Sequence, residues 1–319
     1  MFLLYLHSIY HFFYNLANFY KMRYNCEMKK FVYYLLLFKK VFYIAIYPLF
    51  MGESKFFRFF RMGMENYLIF QPAKFRAQRI NRNLLKRFKT VRFVSKDCAR
   101  LFAWFVEPQK GKPTILYFHG QAESILAHQD VVEFALKNGY GVFMLSYRGH
   151  YRSWGLPSEQ GIFNDAQAAL EKLDEFGVKS KDVILWGHSL GTTVAMNTAV
   201  NNEVKALILQ SPIKNIQTAA YDVASFYFRR LKIVWLRKYI KSHFKDVKFM
   251  QKFDNIGKIA QVNCPILLVH SKTDRVSPSK NSRELYERKL NSQLYLAERG
   301  SHWDMDWCIK RIADFIVNL

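Results

Sequence analysis

The stretch VILWGHSLGTTVAM, residues 183–196, sets Ser189 between Gly187 and Gly191, after an apolar run and before a helix-like one. Gly-x-Ser-x-Gly is the spacing of a sharp strand-to-helix turn that exposes a serine oxygen at the top of a sheet. Glycine suits both flanks, because a side chain there would meet neighbouring backbone. The spacing discriminates weakly by itself, since Gly and Ser are common residues. The chain around it decides.

From residue 91 onward short apolar runs alternate with helical stretches. VRFVS (91–95) and LFAWFV (101–106) flank a Lys-Asp-Cys turn and predict an antiparallel hairpin. The runs that follow are TILYF (114–118), GVFMLS (141–146), DVILW (182–186), ALILQ (206–210), ILLVH (266–270) and QLYL (293–296). Between them lie helical patterns such as 161–176, where Ile162, Ala166, Ala169, Leu170 and Leu173 recur on one face. Continuous apolar strands separated by helices predict an α/β fold: an eight-stranded, mainly parallel sheet with helices on both faces. Ser189 follows the fifth strand. No internal repeat is visible.

In open α/β sheets the site forms beyond the carboxyl ends of the strands. His119-Gly120-Gln121 follows the third run, Ser189 the fifth, Asp274 the seventh and His302 the eighth. The order Ser…Asp…His separates this arrangement from the two other well-known serine-histidine-acid orders. A serine hydroxyl needs a base to take its proton during attack, and a histidine near neutral pKa can do so and later protonate the leaving group. An acid fixes that histidine's tautomer and stabilises its charged form. Leu190, after the serine, and Gln121, after His119-Gly120, stand where main-chain N–H groups would hold a tetrahedral oxyanion. His188 is read as packing, directed away from the serine oxygen, His119 as support for the oxyanion loop and His270 as structural. Asp304 and Asp306 read as caps of the last helix, and Asp165 as a structural hydrogen-bonding group inside a helix.

The 319 residues carry a formal charge of +23, unevenly distributed. Residues 1–110 hold 20 Lys/Arg against 5 Asp/Glu, residues 213–259 hold 11 against 3, and the rest balances at 17 against 17. Such patches attract anionic surfaces; a coding bias that enriches Lys beside Phe and Tyr is the competing account. Cys26, Cys98, Cys264 and Cys308 show neither metal-ligand spacing nor a disulfide framework.

Residues 1–20 contain no Lys, Arg, Asp or Glu and are long enough to cross a bilayer. Residues 31–50 form a second apolar stretch, broken by Lys39-Lys40, and suit an interfacial or hairpin element as well as a span. Met28 is an alternative start. The expected organisation is a hydrophobic membrane-anchor region over 1–70, a basic juxtamembrane linker over 71–90 and a sheet domain over 91–319. Membrane association through the N-terminal segment is expected, with the sheet domain on the cytoplasmic side. An anionic membrane surface is the expected partner of the basic linker, and no nucleic-acid motif accompanies its charge.

With these residues placed, 90–319 resembles the α/β-hydrolase superfamily, and within it the membrane-anchored "alpha/beta hydrolase domain-containing" serine hydrolase group. The resemblance is carried by ILYFHGQAES (115–124), LSYRGHYRSWGLPSEQGIFNDAQAAL (145–170), GHSLG (187–191), SKTDRVSP (271–278) and LIFQP (68–72). It implies a triad of Ser189, Asp274 and His302, with Gln121 and Leu190 as oxyanion donors. It further implies hydrolysis of carboxylic esters or thioesters, lipid or acylated, without metal or organic cofactor. Two departures stand out: HGQAES, where relatives often carry Asn and Gly after His-Gly, and the aromatic that follows His302.

Residues 213–259 interrupt the sheet between the sixth and seventh strands, where this superfamily places a lid. Residues 224–244 mix Phe226, Phe228 and Trp235 with six Arg and Lys residues, a pattern that suits an interfacial helix. These three aromatics are candidates to wall an acyl chain; a solvated lid that only covers the site is the alternative. A serine peptidase or amidase with the same triad, and a non-catalytic membrane-surface binding protein, are the competing functions. The sequence does not fix the oligomeric state.

Overall fold

In the computed structural model, which describes residues 55–71, 84, 86–231 and 249–319, the eight expected strands form one sheet. They are β1 (Lys89–Val94), β2 (Arg100–Val106), β3 (Thr114–Phe118), β4 (Gly141–Ser146), β5 (Val183–His188), β6 (Ala206–Gln210), β7 (Ile266–Ser271) and β8 (Gln293–Ala297). The order across the sheet is β1-β2-β4-β3-β5-β6-β7-β8. β1 and β2 pair as an antiparallel hairpin, with Val94 opposite Arg100, and β2 runs antiparallel to β4. The strands from β4 to β8 are parallel.

Eight α-helices are described: α1 (Lys55–Phe70), α2 (Gln129–Lys137), α3 (Glu159–Glu175), α4 (Gly191–Asn201), α5 (Ile216–Leu231), α6 (Asn255–Lys258), α7 (Lys280–Arg288) and α8 (Ile309–Val317). Strand side chains alternate between faces, so the continuous apolar runs feed two cores. Leu116, Phe118, Leu185 and Leu209 pack with Ile162, Ala166 and Leu173 of α3 and Val194 of α4. On the other face Ile115, Tyr117, Ile184 and Trp186 pack with Val131 and Ala135 of α2 and Ile312 and Phe315 of α8. Each such Leu, Ile, Val or Phe side chain contributes about 1.5–3 kcal/mol by leaving water. β5 is buried along its whole length, which fixes the base on which Ser189 stands.

α3 begins at Glu159 because the Ser158 hydroxyl accepts the Gly161 N–H at 3.1 Å, an N-cap that ends the preceding loop. The expected capping of α8 by Asp304 and Asp306 is corrected. Cys308 occupies the N-cap position without a side-chain hydrogen bond, and Asp304 instead accepts from the Ser301 hydroxyl.

The chain divides into Met1–Ile44 and Ala45–Leu319, and every described residue lies in the second unit. The candidate spans at 1–20 and 31–50 and most of the basic linker lie outside the described residues. Among the described residues no helix is long and apolar enough to cross a membrane. The end of α1 packs on the sheet domain: Glu65 and Phe70 are fully buried, and Phe70 meets Phe253 edge-on at 5.8 Å. The sheet domain therefore draws on residues before the expected boundary at 91. Within the segment expected to form a lid, α5 carries the half-buried Phe226. The Phe228 side chain and Trp235 lie outside the described residues.

Candidate active site

Ser189 sits at φ 51° between β5 and α4. Few residues other than glycine adopt that region, and a strained non-glycine there is a mark of functional turns. The two glycines explain how the turn closes. A Cβ on Gly187 would lie 2.5 Å from the Gly191 carbonyl oxygen, and one on Gly191 would lie 2.0 Å from that of Phe118. Neither contact is possible, so the spacing read from sequence is a steric requirement of this turn.

The loops after β7 and β8 bring the acid and the base to the serine. His302 Nδ1 donates to Asp274 Oδ2 at 2.6 Å, which leaves Nε2 as the acceptor facing Ser189 Oγ at 3.0 Å. Asp274 and His302 are buried and Ser189 half-buried. Asp274 Oδ1 accepts the main-chain N–H groups of Val276 at 2.8 Å and Ser277 at 3.0 Å, which locks the carboxylate. His270 steadies the same turn, donating from Nε2 to the Ser277 carbonyl at 2.7 Å and lying 3.4 Å from Asp274 Oδ2.

Burial works to raise the Asp274 carboxyl, but the hydrogen bonds of His270 and His302 outweigh it and hold the group well below the usual carboxylate range. Burial lowers His302 below the ordinary histidine value, against the opposing pull of Asp274. The ring is therefore neutral at pH 7. A neutral imidazole with its outer N–H fixed and its inner nitrogen on a hydroxyl can act as a general base.

Gln121 lies in the loop after β3, where Ala122 also takes a left-handed backbone at φ 56°. The main-chain N–H groups of Gln121 and Leu190 donate no hydrogen bond among the described residues. Both are the kind of donor that an oxyanion needs. The loop is braced by α1: the Gln121 amide side chain donates to the Leu68 carbonyl, and the Ala122 N–H to that of Phe70 at 3.4 Å. His119 is buried beneath the loop, with Nδ1 3.0 Å from the Gly120 carbonyl and its ring against Tyr147. It makes no contact with Ser189 in the hydrogen-bond network. Burial pushes it well below the ordinary value, so it is neutral. Trp303 stands edge-on to His302 at 5.6 Å and is largely exposed.

His188 is directed away from the serine oxygen, as expected, but it does more than pack. Its Nδ1 lies 3.2 Å from Glu123 Oε2 and its Nε2 2.7 Å from the His302 carbonyl. Glu123 Oε2 also meets His128 Nε2 at 2.9 Å. Glu123, His128 and His188 are the one group of potential metal-ligating side chains among the described residues, with donor atoms within 4.8 Å of one another. Sequence reasoning missed Glu123 and His128; the only trace was the departure at HGQAES. Asp165 has the structural role expected, accepting the Arg148 main-chain N–H at 2.8 Å and its guanidinium at 2.7 and 2.9 Å.

The chain is similar to known proteins in both sequence and fold. The family Hydrolase_4, described as serine aminopeptidase, S33, matches residues 109–255. The alpha/beta hydrolase domain-containing protein WAV2 of Arabidopsis thaliana is 34% identical over 222 residues, 66% of this chain and 70% of its own length. The lysophosphatidylserine lipase ABHD12 of Rattus norvegicus is 34% identical over 196 residues, 57% of this chain and 47% of its own. The esterase Pf2001 of Pyrococcus furiosus shares the fold, with a TM-score of 0.63 at 22% identity over 79% of this chain and 98% of its own. With its sheet order, its elbow and these relatives, the chain belongs to the α/β-hydrolase superfamily and is a hydrolase.

Proposed function

We propose that this hydrolase cleaves carboxylic esters or thioesters through a Ser189–His302–Asp274 triad and an acyl-enzyme intermediate. The observation that carries the reading is the 3.0 Å approach of His302 Nε2 to Ser189 Oγ, backed by the 2.6 Å bond from Nδ1 to Asp274. Ser189 Oγ attacks the acyl carbonyl carbon as its proton passes to His302 Nε2. The oxyanion takes the main-chain N–H groups of Gln121 and Leu190, a pair whose single members typically contribute about 10²–10³ in rate. Collapse breaks the bond to the alcohol or thiol, which leaves with the proton from His302. Water, deprotonated by His302, then hydrolyses the acyl-serine and restores the hydroxyl.

Lipid or acylated substrates fit this reading. Support comes from the rat relative, a lysophosphatidylserine lipase, and from the aromatic lid sequence, with Phe226, Phe228 and Trp235 as the proposed wall for an acyl chain. The apolar N-terminal segment and basic linker are proposed to hold the enzyme at an anionic membrane surface with its sheet domain cytoplasmic. A second reading, peptide or amide cleavage by the same triad, is favoured by the serine aminopeptidase description of the matched family.

The test is covalent labelling of the detergent-solubilised full chain with a fluorophosphonate, beside Ser189→Ala and His302→Ala. Labelling of the unaltered chain alone is expected, followed by turnover of p-nitrophenyl acyl esters and acyl-thioesters faster than of aminoacyl anilides. Faster anilide turnover would move the conclusion to the peptidase reading. A folded chain that does not label would leave a non-catalytic surface-binding protein.

A further inference from the structure

The strongest unexplained feature is the buried group behind the elbow. Glu123 Oε2 has three nitrogen neighbours: the Gly120 main-chain N–H at 2.7 Å, His128 Nε2 at 2.9 Å and His188 Nδ1 at 3.2 Å. His128 resolves simply. Its Nε2–H donates to Glu123, and its Nδ1 accepts the Tyr117 hydroxyl proton at 3.0 Å, so one neutral tautomer satisfies both contacts.

His188 does not resolve this way. Its Nδ1 faces a carboxylate oxygen and its Nε2 faces the His302 carbonyl oxygen at 2.7 Å, and both partners are acceptors. A neutral imidazole carries one N–H and one lone pair, so either tautomer would set a lone pair against an oxygen. Only a ring protonated on both nitrogens makes both contacts favourable. The extra proton belongs on His188 rather than on Glu123, because two further N–H donors already stabilise that oxygen as an anion.

We propose that Glu123 and His188 form a buried carboxylate–imidazolium pair, and that His188 is a positioning residue which holds the His302 loop and keeps the His302 ring in its base form. The proposal deepens the reading of His302 as the general base and rests on it. His188 reaches the main chain of His302 itself, so it fixes the residue that must present Nε2 to Ser189. Its ring also stands 5.1 Å, centroid to centroid, from that of His302. A fixed positive charge so near opposes a second one on His302. The groups facing His188 are Glu123 and His128 from the loop after β3, and His302 with Asp274 beyond it from the loops after β8 and β7. Asp274 opposes the effect of His188 on His302, so the base is poised between an anion on its outer nitrogen and a cation behind it. Burial works to lower His188, and the charge and hydrogen bond of Glu123 more than reverse it.

The direct test is nitrogen-15 NMR of the histidine-labelled full chain in detergent, across pH 6–8. One histidine with protons on both ring nitrogens is expected throughout, absent in His188→Gln and converted to a singly protonated ring in Glu123→Gln. A singly protonated His188 in the unaltered chain would overturn the proposal. So would one tightly bound zinc ion per chain in purified protein, because both inner nitrogens would then be deprotonated ligands.

Ester hydrolysis reads the consequence. In His188→Gln, kcat is expected to fall about ten- to a hundredfold with KM nearly unchanged, as for a displaced catalytic group. The acid limb of kcat/KM is expected to move upward by about one pH unit as the neighbouring positive charge is lost. An unmoved limb would reduce His188 to a merely structural role and sink the positioning claim. The NMR signature does not depend on turnover, so failure of the esterase reading and failure of this pair are distinguishable.

Discussion

Glu65 and Glu159 between them accept four consecutive main-chain N–H groups, those of residues 250–253 just before α6. Glu65 takes Met250 at 2.8 Å and Gln251 at 3.0 Å, and Glu159 takes Lys252 at 2.6 Å and Phe253 at 2.7 Å. The first carboxylate comes from α1 and the second from the start of α3, so two distant elements pin one short segment. In return Gln251 Oε1 accepts the Glu159 N–H at 2.8 Å.

Glu65→Ala is expected to leave two amides without an acceptor and to cost about 1–3 kcal/mol each where they are cut off from water. Amide exchange should rise at Met250 and Gln251 while Lys252 and Phe253, held by Glu159, stay protected. Equal exchange at all four positions in variant and parent would refute this division of labour.

Arg148 poses a different problem, because it compensates a carboxylate that water cannot reach. Asp165 is fully buried, and Arg148 also binds Asp97 at 2.6 and 2.7 Å. Burial pushes the Asp165 carboxyl up to about 6 even with the guanidinium in place. Arg148→Met strands the charge and is expected to cost about 3–5 kcal/mol. Without its partner the acid binds a proton more readily in the folded state, so the loss is smaller at pH 5 and grows as pH rises. Denaturant midpoints at pH 5 and 8 measure the sign, and Asp165→Asn in the same background should recover part of the loss. A larger loss at pH 5 would contradict the account.

The elbow glycine offers a steric test with an internal control. Gly191→Ala would drive a Cβ to 2.0 Å from the Phe118 carbonyl oxygen, whereas among the described residues nothing lies within 4 Å of the same atom on Gly63 in α1. Overpacking against rigid backbone costs about 1–3 kcal/mol or more. Gly63→Ala should instead stabilise by about 0.5–1 kcal/mol, as alanine does inside a helix. Thermal midpoints moving in opposite directions are the expected result, and a Gly191→Ala midpoint equal to the parent's would refute the clash.

These cases mark where the sequence was legible. The inner strands declared themselves because each is buried on both faces and reads as an apolar run, while β1, exposed at alternate positions, showed instead through its hairpin turn. Ser189, Asp274 and His302 declared themselves because each follows such a run directly, so topology alone gathers them. Glu65 lies 185 residues from Met250, and His188 lies 114 from the carbonyl it holds. Pairings of that kind leave no period and no motif. His188 was hidden further by its place inside GHSLG, where the glycines and serine account for the spacing without it. The acids before α8 misled for the opposite reason, since a local rule about helix starts was overruled by the Ser301–Asp304 contact.

The acid side of the activity profile gathers these electrostatics into one measurement. His302 is lowered from the ordinary histidine value, chiefly by burial, and as the proposed base must be neutral to accept the Ser189 proton. The acid limb of kcat/KM is therefore expected below pH 6.5, with activity falling as pH drops through it. Asp274→Asn removes the anion that favours the charged form of His302, so its limb should move lower still, opposite in sign to the shift expected for His188→Gln. The same substitution is expected to reduce kcat by about 10⁴, because an amide does not hold the required tautomer. Stability follows the same sign. The folded-state values of His302 and Asp274 are both depressed, so their contributions are complete above the unfolded values, about 6.5 and 3.9. They are lost as pH falls through the folded ones. The excess thermal midpoint of the parent over His302→Gln, in which Asp165 and the other titrating groups cancel, should thus begin to decline as pH drops below about 6.5. A limb above pH 6.5 in the parent, or one that moves upward in Asp274→Asn, would mean that burial does not govern this histidine.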